Sequence, residues 1–364
     1  MRSGEDVTAE GVSVVTPSWN NPANVGRFLT AMGTACKTVD APTEIIVVDD
    51  SVPARAVEIR ELCDAHDAHY VRGPRAVGAK RNRGARQARY SVLLFVDSDC
   101  IATERLVAEH LRSHREADGG IGAVAGPVTV RDGGTDLASQ VARRAMHANP
   151  PFEWGATHQV LEWAPTANVS VSAEAFHAVG GFDEHPFTVN GGEDVDLGVR
   201  LTAAGRPVVG NARARVNHGT EPESIRSLFK KVHRYGRADV FLRTRHAERS
   251  EPHWNRTTVA VTAGLAGLAV GRATGCRAIA LAAPAVAVAL LGSQRLRARP
   301  DGTADGLPAR LVARVVDASF DVGTFSEALR RGSPRLLLGR FPYYTDEHFR
   351  KTPQEEPRRQ EGPA

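Results

Sequence analysis

Residues 92–100 read VLLFVDSDC. Five apolar residues in a row fit a strand buried on both faces, as in a parallel sheet covered by helices. The run stops at two carboxylates one residue apart, Asp97 and Asp99. A strand built for burial that ends in two acids points to a ligand beyond its carboxyl end, where open α/β sheets bind their ligands.

Working outward, Val12–Thr16 (VSVVT) reads as a first strand that stops at Pro17, and SWNNP as a turn. Ala23–Gly33 has helical spacing, with Val25, Phe28, Leu29 and Met32 on one face. Glu44–Val48 (EIIVV) is a second strand, ending in Asp49, Asp50 and Ser51, and Ala54–His66 is helical. Ala79–Ala88 reads as a basic helix carrying Lys80, Arg81, Arg83 and Arg86. Thr103–Glu116 is amphipathic; Val124 and Val128–Val130 suggest a further strand. Asp194–Ala204 reads as a helix stopped by Gly205, Val208–Val209 and Val216 as more strands, and Ser224–Thr244 as a basic helix. This alternation predicts an α/β fold, a Rossmann-like, mostly parallel sheet flanked by helices. Thr16–Asn20, Asp49–Ser51 and Asp97–Asp99 then converge on one rim of the sheet.

The chain of 364 residues has a formal net charge of +4, with 42% apolar and 24% charged residues. These values fit a folded protein with ample core. The basic excess is nearly all Arg and contains no block of like charge, which argues against a nucleic-acid partner. Cys36, Cys63, Cys100 and Cys276 form no C-x-x-C pair, so neither a zinc site nor a redox motif is signalled. The polar N-terminal segment MRSGEDVTAE lacks a signal-peptide core, so the expected location is cytoplasmic, extending to the cytoplasmic face of the cell membrane. Gly120–Ala125 fits a dinucleotide fingerprint, but it follows a helix and leads to Gly126-Pro127, so it reads as a turn.

The C-terminal part differs. Thr257–Gly271 and Ala278–Gln294 carry no charge and are flanked by Arg256, Arg272, Arg277 and Arg295. Each is shorter than the ~20 residues of a membrane span. A buried helical pair, two short or tilted spans and a hairpin dipping into one leaflet all fit; the flanking Arg residues favour membrane contact. Residues 352–364 are polar and Pro-rich, the composition of a disordered tail.

The acids can be read for their chemistry. Asp97 and Asp99 brought together repel one another unless a cation binds, and Mg2+ takes a few carboxylates together with phosphate oxygens. A cation there would offset the charge of a departing diphosphate. The plainer reading is an exposed turn. Glu193, Asp194 and Asp196 fit a first helical turn, where the helix dipole favours acids; a carboxylate there also suits a general base. Gly191 and Gly192 before them allow unusual backbone and close approach of a substrate.

PSWNNPANVGRFL, IIVVDDS, GAKRNRGARQARYSVLLFVDSDC, ANVSVSAEAFHAVGGFDE and GGEDVDLGVRLTAAG occur in that order over about residues 11–240. In these motifs the chain resembles family 2 glycosyltransferases of the GT-A fold. The resemblance implies that Pro17, Ser18 and Asn20 line a nucleotide pocket and that Asp49 or Asp50 contacts the base or ribose. Arg81 and Asn82 would lie near the nucleotide. Asp97 would touch ribose or metal, Asp99 would ligate Mg2+ or Mn2+, and His218 would supply another metal or phosphate contact. Asp194, in the pair with Glu193, would be the base for inverting transfer. Arg234, Tyr235 and Arg237 would lie near the acceptor and the diphosphate. The family's DDGSTD run is reduced here to DDSVP, and the Q-x-x-R-W pattern of processive synthases is absent, which implies a single sugar addition.

The expectation is therefore a GT-A domain over 1–245, with a nucleotide part about 11–100 and an acceptor part about 101–245. A helical, membrane-associated region would follow over 246–351, then the tail over 352–364. The implied reaction is metal-dependent, inverting transfer from a nucleotide-diphosphate sugar to a hydroxyl of a glycan, lipid or small molecule, in envelope glycan, glycolipid or specialised-metabolite synthesis. A nucleotidyltransferase acting on a sugar phosphate would need a Gly-rich, Arg-bearing loop after strand one, which SWNNPAN is not. A non-catalytic sugar-nucleotide-binding protein would have no need of the intact acids.

Overall fold

The apolar run 92–96 forms the end of a strand at the middle of a nine-stranded sheet. The computed structural model describes residues 9–130, 135–148, 151–184, 191–219, 224–278, 306–344 and 350–351, with scattered positions between 282 and 289. The first half of the chain alternates strand and helix: β1 (Ala9–Ser18), α1 (Pro22–Lys37), β2 (Thr43–Asp49), α2 (Pro53–Ala65), β3 (His69–Arg72), α3 (Val77–Ala85) and β4 (Tyr90–Val96). Then follow β5 (Cys100–Ala102), α4 (Leu106–Glu116), β6 (Ala123–Ala125), β7 (Val128–Val130), α5 (Leu137–Arg144), α6 (Trp154–Thr157), β8 (His158–Leu161), β9 (Asn168–Ser172) and α7 (Ala173–Ala178). The rest comprises α8 (Glu193–Ala203), β10 (Val208–Gly210), β11 (Val216–His218), α9 (Ile225–Arg245), β12 (Glu251–Trp254), α10 (Arg256–Thr274), α11 (Leu307–Arg330), β13 (Leu338–Arg340) and β14 (Arg350–Lys351).

The main sheet has the order β14-β8-β10-β6-β9-β4-β1-β2-β3. β1 pairs in parallel with β2 and β4, and β2 with β3, while β9 runs antiparallel between β4 and β6. The mostly parallel α/β architecture is the one expected. Alternation within β4 shows why its sequence is apolar throughout. Val92, Leu94 and Val96 pack against α1, α2 and α4 on one face. Leu93 and Phe95 pack against α7 and α8 on the other. Burying each such side chain contributes about 1.5–3 kcal/mol. The N-terminus of α1 is set by Pro22 in its first turn and by Asn21, whose side chain accepts from the Asn24 N–H.

Two departures place the site. A three-stranded sheet, β5-β11-β7, forms just past β4, and its register sets His218 opposite Cys100. The C-terminal part also returns to the body: α11 lies against α9 and α5, and β14 adds to the main sheet beside β8. The edge strand β3 was not foreseen, since its four residues are only half buried. Gly120–Gly122 leads into β6 as a turn rather than opening a helix.

The uncharged stretch Thr257–Gly271 lies in α10, where Leu265, Leu268 and Val270 are exposed. Among the described residues no helix is long and apolar enough to cross a membrane. Most of Ala278–Gln294 and all of 352–364 lie outside the described residues.

Candidate active site

The carboxyl ends of β1, β2 and β4 open onto one cavity of about 1160 Å3. Pro17, Ser18, Asp50, Arg81, Asp97, Asp99, Glu193, Asp194 and His218 all line it. Asn20, Asp49 and Asn82 are not among its lining residues, and each has a different task.

Asp49 is wholly buried. Its carboxylate accepts from the Ser51 N–H at 3.2 Å and the Tyr70 hydroxyl at 3.1 Å, so it fastens the loop after β2. Asp50, one residue on, faces the cavity and pairs with Lys80 Nζ, which also donates to the Ser18 carbonyl at 2.8 Å. Asn20 adopts left-handed backbone (φ 52°), and its Oδ1 accepts from the Val52 N–H at 2.9 Å, clamping the first two loops together. Asn82 grips Phe182, donating to its carbonyl at 2.7 Å and accepting from its N–H at 2.8 Å.

Arg81 is buried and bridges distant parts of the chain. It donates to Asp97 Oδ1 at 2.8 Å and to Glu193 Oε1 at 3.1 Å. Burial works against its charge, but the carboxylates of Asp97 and Glu193 outweigh this and raise its pKa. Glu193 and Asp194 open α8, whose N-cap Gly192 has φ 86°, a left-handed conformation that glycine adopts without strain. The Asp194 carboxyl accepts the Val195 N–H at 2.9 Å. Burial, followed by the charge of Glu193, pushes its pKa up to about 7. Asp196 points elsewhere and pairs with Arg200 and His246, a structural role.

His218 Nε2 lies 3.5 Å from Asp99 Oδ2. Burial, then the neighbouring Asp97, raises the Asp99 carboxyl above its ordinary range, while His218 opposes the shift. Ligand atoms of Asp99, Cys100 and His218 lie within 4.8 Å of one another; Asp97 is outside this group and is held by Arg81. Burial raises the Cys100 thiol well above its usual pKa, which works against the thiolate form that a metal ligand needs. What remains, a carboxylate and an imidazole, is a donor pair that a divalent first-row ion can use.

The other walls of the cavity come mostly from residues outside the motifs. Trp154 and Trp163 line it, and Tyr343 joins them from the C-terminal segment; the Trp163 indole donates to the Tyr343 carbonyl at 2.5 Å. Arg143, His147, Lys231, Arg234, Tyr235 and Phe320 reach in from α5, α9, α11 and the segment after α5. Arg234 and Tyr235 line the cavity; Arg237 instead binds Glu327 of α11. Lys80, next to Arg81 in the basic helix that the sequence marked, also lines the cavity; Phe320 and Tyr343 carried no signal in the sequence.

Residues 13–159 match the family model described as glycosyl transferase family 2, and residues 92–292 match glycosyl transferase family group 2. The chain is similar to validoxylamine A glucosyltransferases from two Streptomyces hygroscopicus sources, subsp. limoneus and subsp. jinggangensis. Each is 32% identical over 226 residues, a stretch covering 54% of this chain and 49% and 52% of those proteins. The chain thus spans about half the length of the curated relatives it matches. Among solved structures it resembles the mannosyltransferase PcManGT from Pyrobaculum calidifontis, determined in complex with GDP-Man and Mn2+. That likeness has a TM-score of 0.53 at 15% identity, covers 90% of this chain and 89% of that one, and bears on the fold alone.

Proposed function

Because the chain belongs to glycosyltransferase family 2, we propose that it transfers one sugar from a nucleotide-diphosphate donor to an acceptor hydroxyl with inversion at the anomeric carbon. The observation that carries this reading is the shared cavity. It holds the Asp99–His218 pair on one wall and, on another, a carboxyl poised near neutrality, Asp194. Residues of about 11–100 would hold the donor; those of about 101–245 would face the acceptor, joined by Phe320 and Tyr343 from the C-terminal part.

In the reaction the acceptor oxygen attacks the anomeric carbon while the bond to the diphosphate oxygen breaks. Asp194 takes the hydroxyl proton. Glu193, held by Arg81, keeps a negative charge beside Asp194 and so raises its basicity. Pro17 and Ser18 flank the nucleotide, and Asp50 contacts its base or ribose in place of the inward-turned Asp49. Lys80 and Arg81 supply fixed positive charge near the phosphates. Asp99 and His218, with Asp97 beside them, would hold Mg2+ or Mn2+, and the imidazole favours Mn2+. The ion, when bound, offsets the charge of the departing diphosphate. The exposed apolar face of α10, bordered by Arg256, Arg272 and Arg277, is proposed to rest on a membrane surface.

The test is a panel of UDP-, GDP- and dTDP-sugars with Mn2+, read by released nucleotide. Each glucose donor with validoxylamine A is one arm, since those relatives are named validoxylamine A glucosyltransferases. Acceptor-dependent release from one nucleotide class, with inverted product by NMR, is expected. Chelation should abolish it, and Mn2+ should restore it better than Mg2+. Asp99→Ala should remove turnover. Release unaffected by chelation would overturn the metal assignment, and a product of retained configuration would overturn the role of Asp194.

A further inference from the structure

We propose that His147, held by Asp317, binds the acceptor in the part of the cavity walled by α5, α9 and α11, and that the acceptor there is a sugar or other polyhydroxylated ring. This rests on the glycosyltransferase reading. Asp317 lies on α11 and is 1% exposed. Its Oδ2 accepts the Met146 N–H at 2.7 Å and its Oδ1 the His147 N–H at 2.9 Å. The same Oδ1 lies 3.2 Å from His147 Nδ1. Since a carboxylate only accepts, Nδ1 carries the proton, and Nε2 is left as the polar atom of the ring with a lone pair to offer.

The ring is fixed in a second direction. Phe320, one turn beyond Asp317 on α11, stacks on it with centroids 4.3 Å apart and planes 21° apart. An imidazole with one nitrogen tied and one face covered has little freedom left, and this one is 39% exposed and lines the cavity. None of the steps assigned to Asp99, Glu193, Asp194 or His218 uses it. Buried carboxylates that orient a cavity-lining imidazole serve to aim its other nitrogen. Here the target would be a hydroxyl hydrogen. Trp154 and Tyr235 add flat apolar faces with polar edges to the same cavity. A fixed hydroxyl acceptor beside ring faces suits a compact polyhydroxylated ring better than an extended chain.

Two measurements decide the matter. Long-range 1H–15N spectra of the full chain should show His147 as the Nδ1–H tautomer; the Nε2–H tautomer would overturn the assignment whatever the activity. Kinetics then uses the donor found by the panel, with methyl glucoside, methyl mannoside and myo-inositol as acceptor probes. His147→Ala should raise acceptor KM about tenfold, the loss of one hydrogen bond, with donor KM moving less than about twofold. His147→Gln should recover part of the loss, and Asp317→Asn should shift KM in the same direction as His147→Ala. Equal changes in both KM values, or none, would overturn the inference. Donor cleavage by water with no acceleration by any ring would overturn the acceptor class. Absence of cleavage of every donor would instead defeat the glycosyltransferase reading, and this inference with it.

Discussion

Asp194, the proposed base, also carries a cost in stability. With its pKa near 7, the proposed base is only partly ionised in neutral solution, so kcat/KM should rise with pH through about 7 and level off above it. Asp194→Asn should lower the rate by about 10²–10⁴. The same shift fixes a sign for stability. The folded form holds this proton up to about 7, whereas the unfolded chain releases it near 3.8, so stability falls as pH rises between the two. Each pKa unit corresponds to about 1.4 kcal/mol. Asp194→Asn should therefore melt higher than the wild type at pH 8 and show no such gain at pH 4, a comparison that scanning calorimetry can make. The sequence marked Asp194 by its place after a glycine pair. It could not show that Arg81 would hold Glu193 across 112 positions, because nothing local encodes that bridge. Nor could it choose between Asp49 and Asp50. Which of the two faces the cavity depends on how the strand end turns, and Tyr70 and Ser51, which hold Asp49 inward, meet it only in three dimensions.

At the scale of elements, the helices α9 and α11 meet backbone to backbone. A Cβ on Gly236 would stand 1.9 Å from the Phe320 carbonyl oxygen, and one on Gly323 would stand 2.0 Å from that of His233. Thr324 Oγ1 donates to the Gly236 carbonyl at 3.0 Å, a polar contact that such closeness allows. Either glycine replaced by alanine must push the helices apart. The expected loss is about 1–3 kcal/mol, measured by urea unfolding. Because Phe320 rides on that crossing, acceptor KM should worsen more than donor KM. The central strands and their helices were legible because uninterrupted apolar runs and 3.6-residue spacing are local signals. The packing of α11 was not. Its glycine carries no pattern of its own, and the complementary glycine lies on another helix.

Across the whole molecule, the sheet hides a polar seam. His110 and His114 sit beneath it on α4, both against Ser170 Oγ, at 2.8 and 2.9 Å, and His110 also meets Asn168 Oδ1 at 2.9 Å. Burial lowers His110 from 6.5 to about 4 and His114 to about 3. Between 6.5 and these values the unfolded chain binds more protons than the folded one, so stability falls as pH drops below 6.5. The urea midpoint should decline from pH 6.5 to pH 4, and less steeply in the double variant His110→Gln, His114→Gln. Proposed membrane contact belongs to the same scale. Flotation of the full chain with vesicles rich in anionic lipid should carry the protein upward, and Leu265→Glu with Leu268→Glu should abolish this; unchanged flotation in that variant would place the contact elsewhere.

The contact of α9 with α11 also limits how such a protein can be reshaped. The proposed donor end rests on neighbouring parallel strands whose register is set by one another rather than by residues 306–344. The opposite wall is shared between two helices whose backbones were fitted to each other at Gly236 and Gly323. A transplant of α11 alone from a relative would arrive with the wrong partner and leave a misfit at the crossing. A transplant of 225–344 would carry both surfaces of the joint. Acceptor preference should therefore be engineered by moving these two helices together with 137–147, which carries His147 and packs against α11, while the proposed donor end is left untouched.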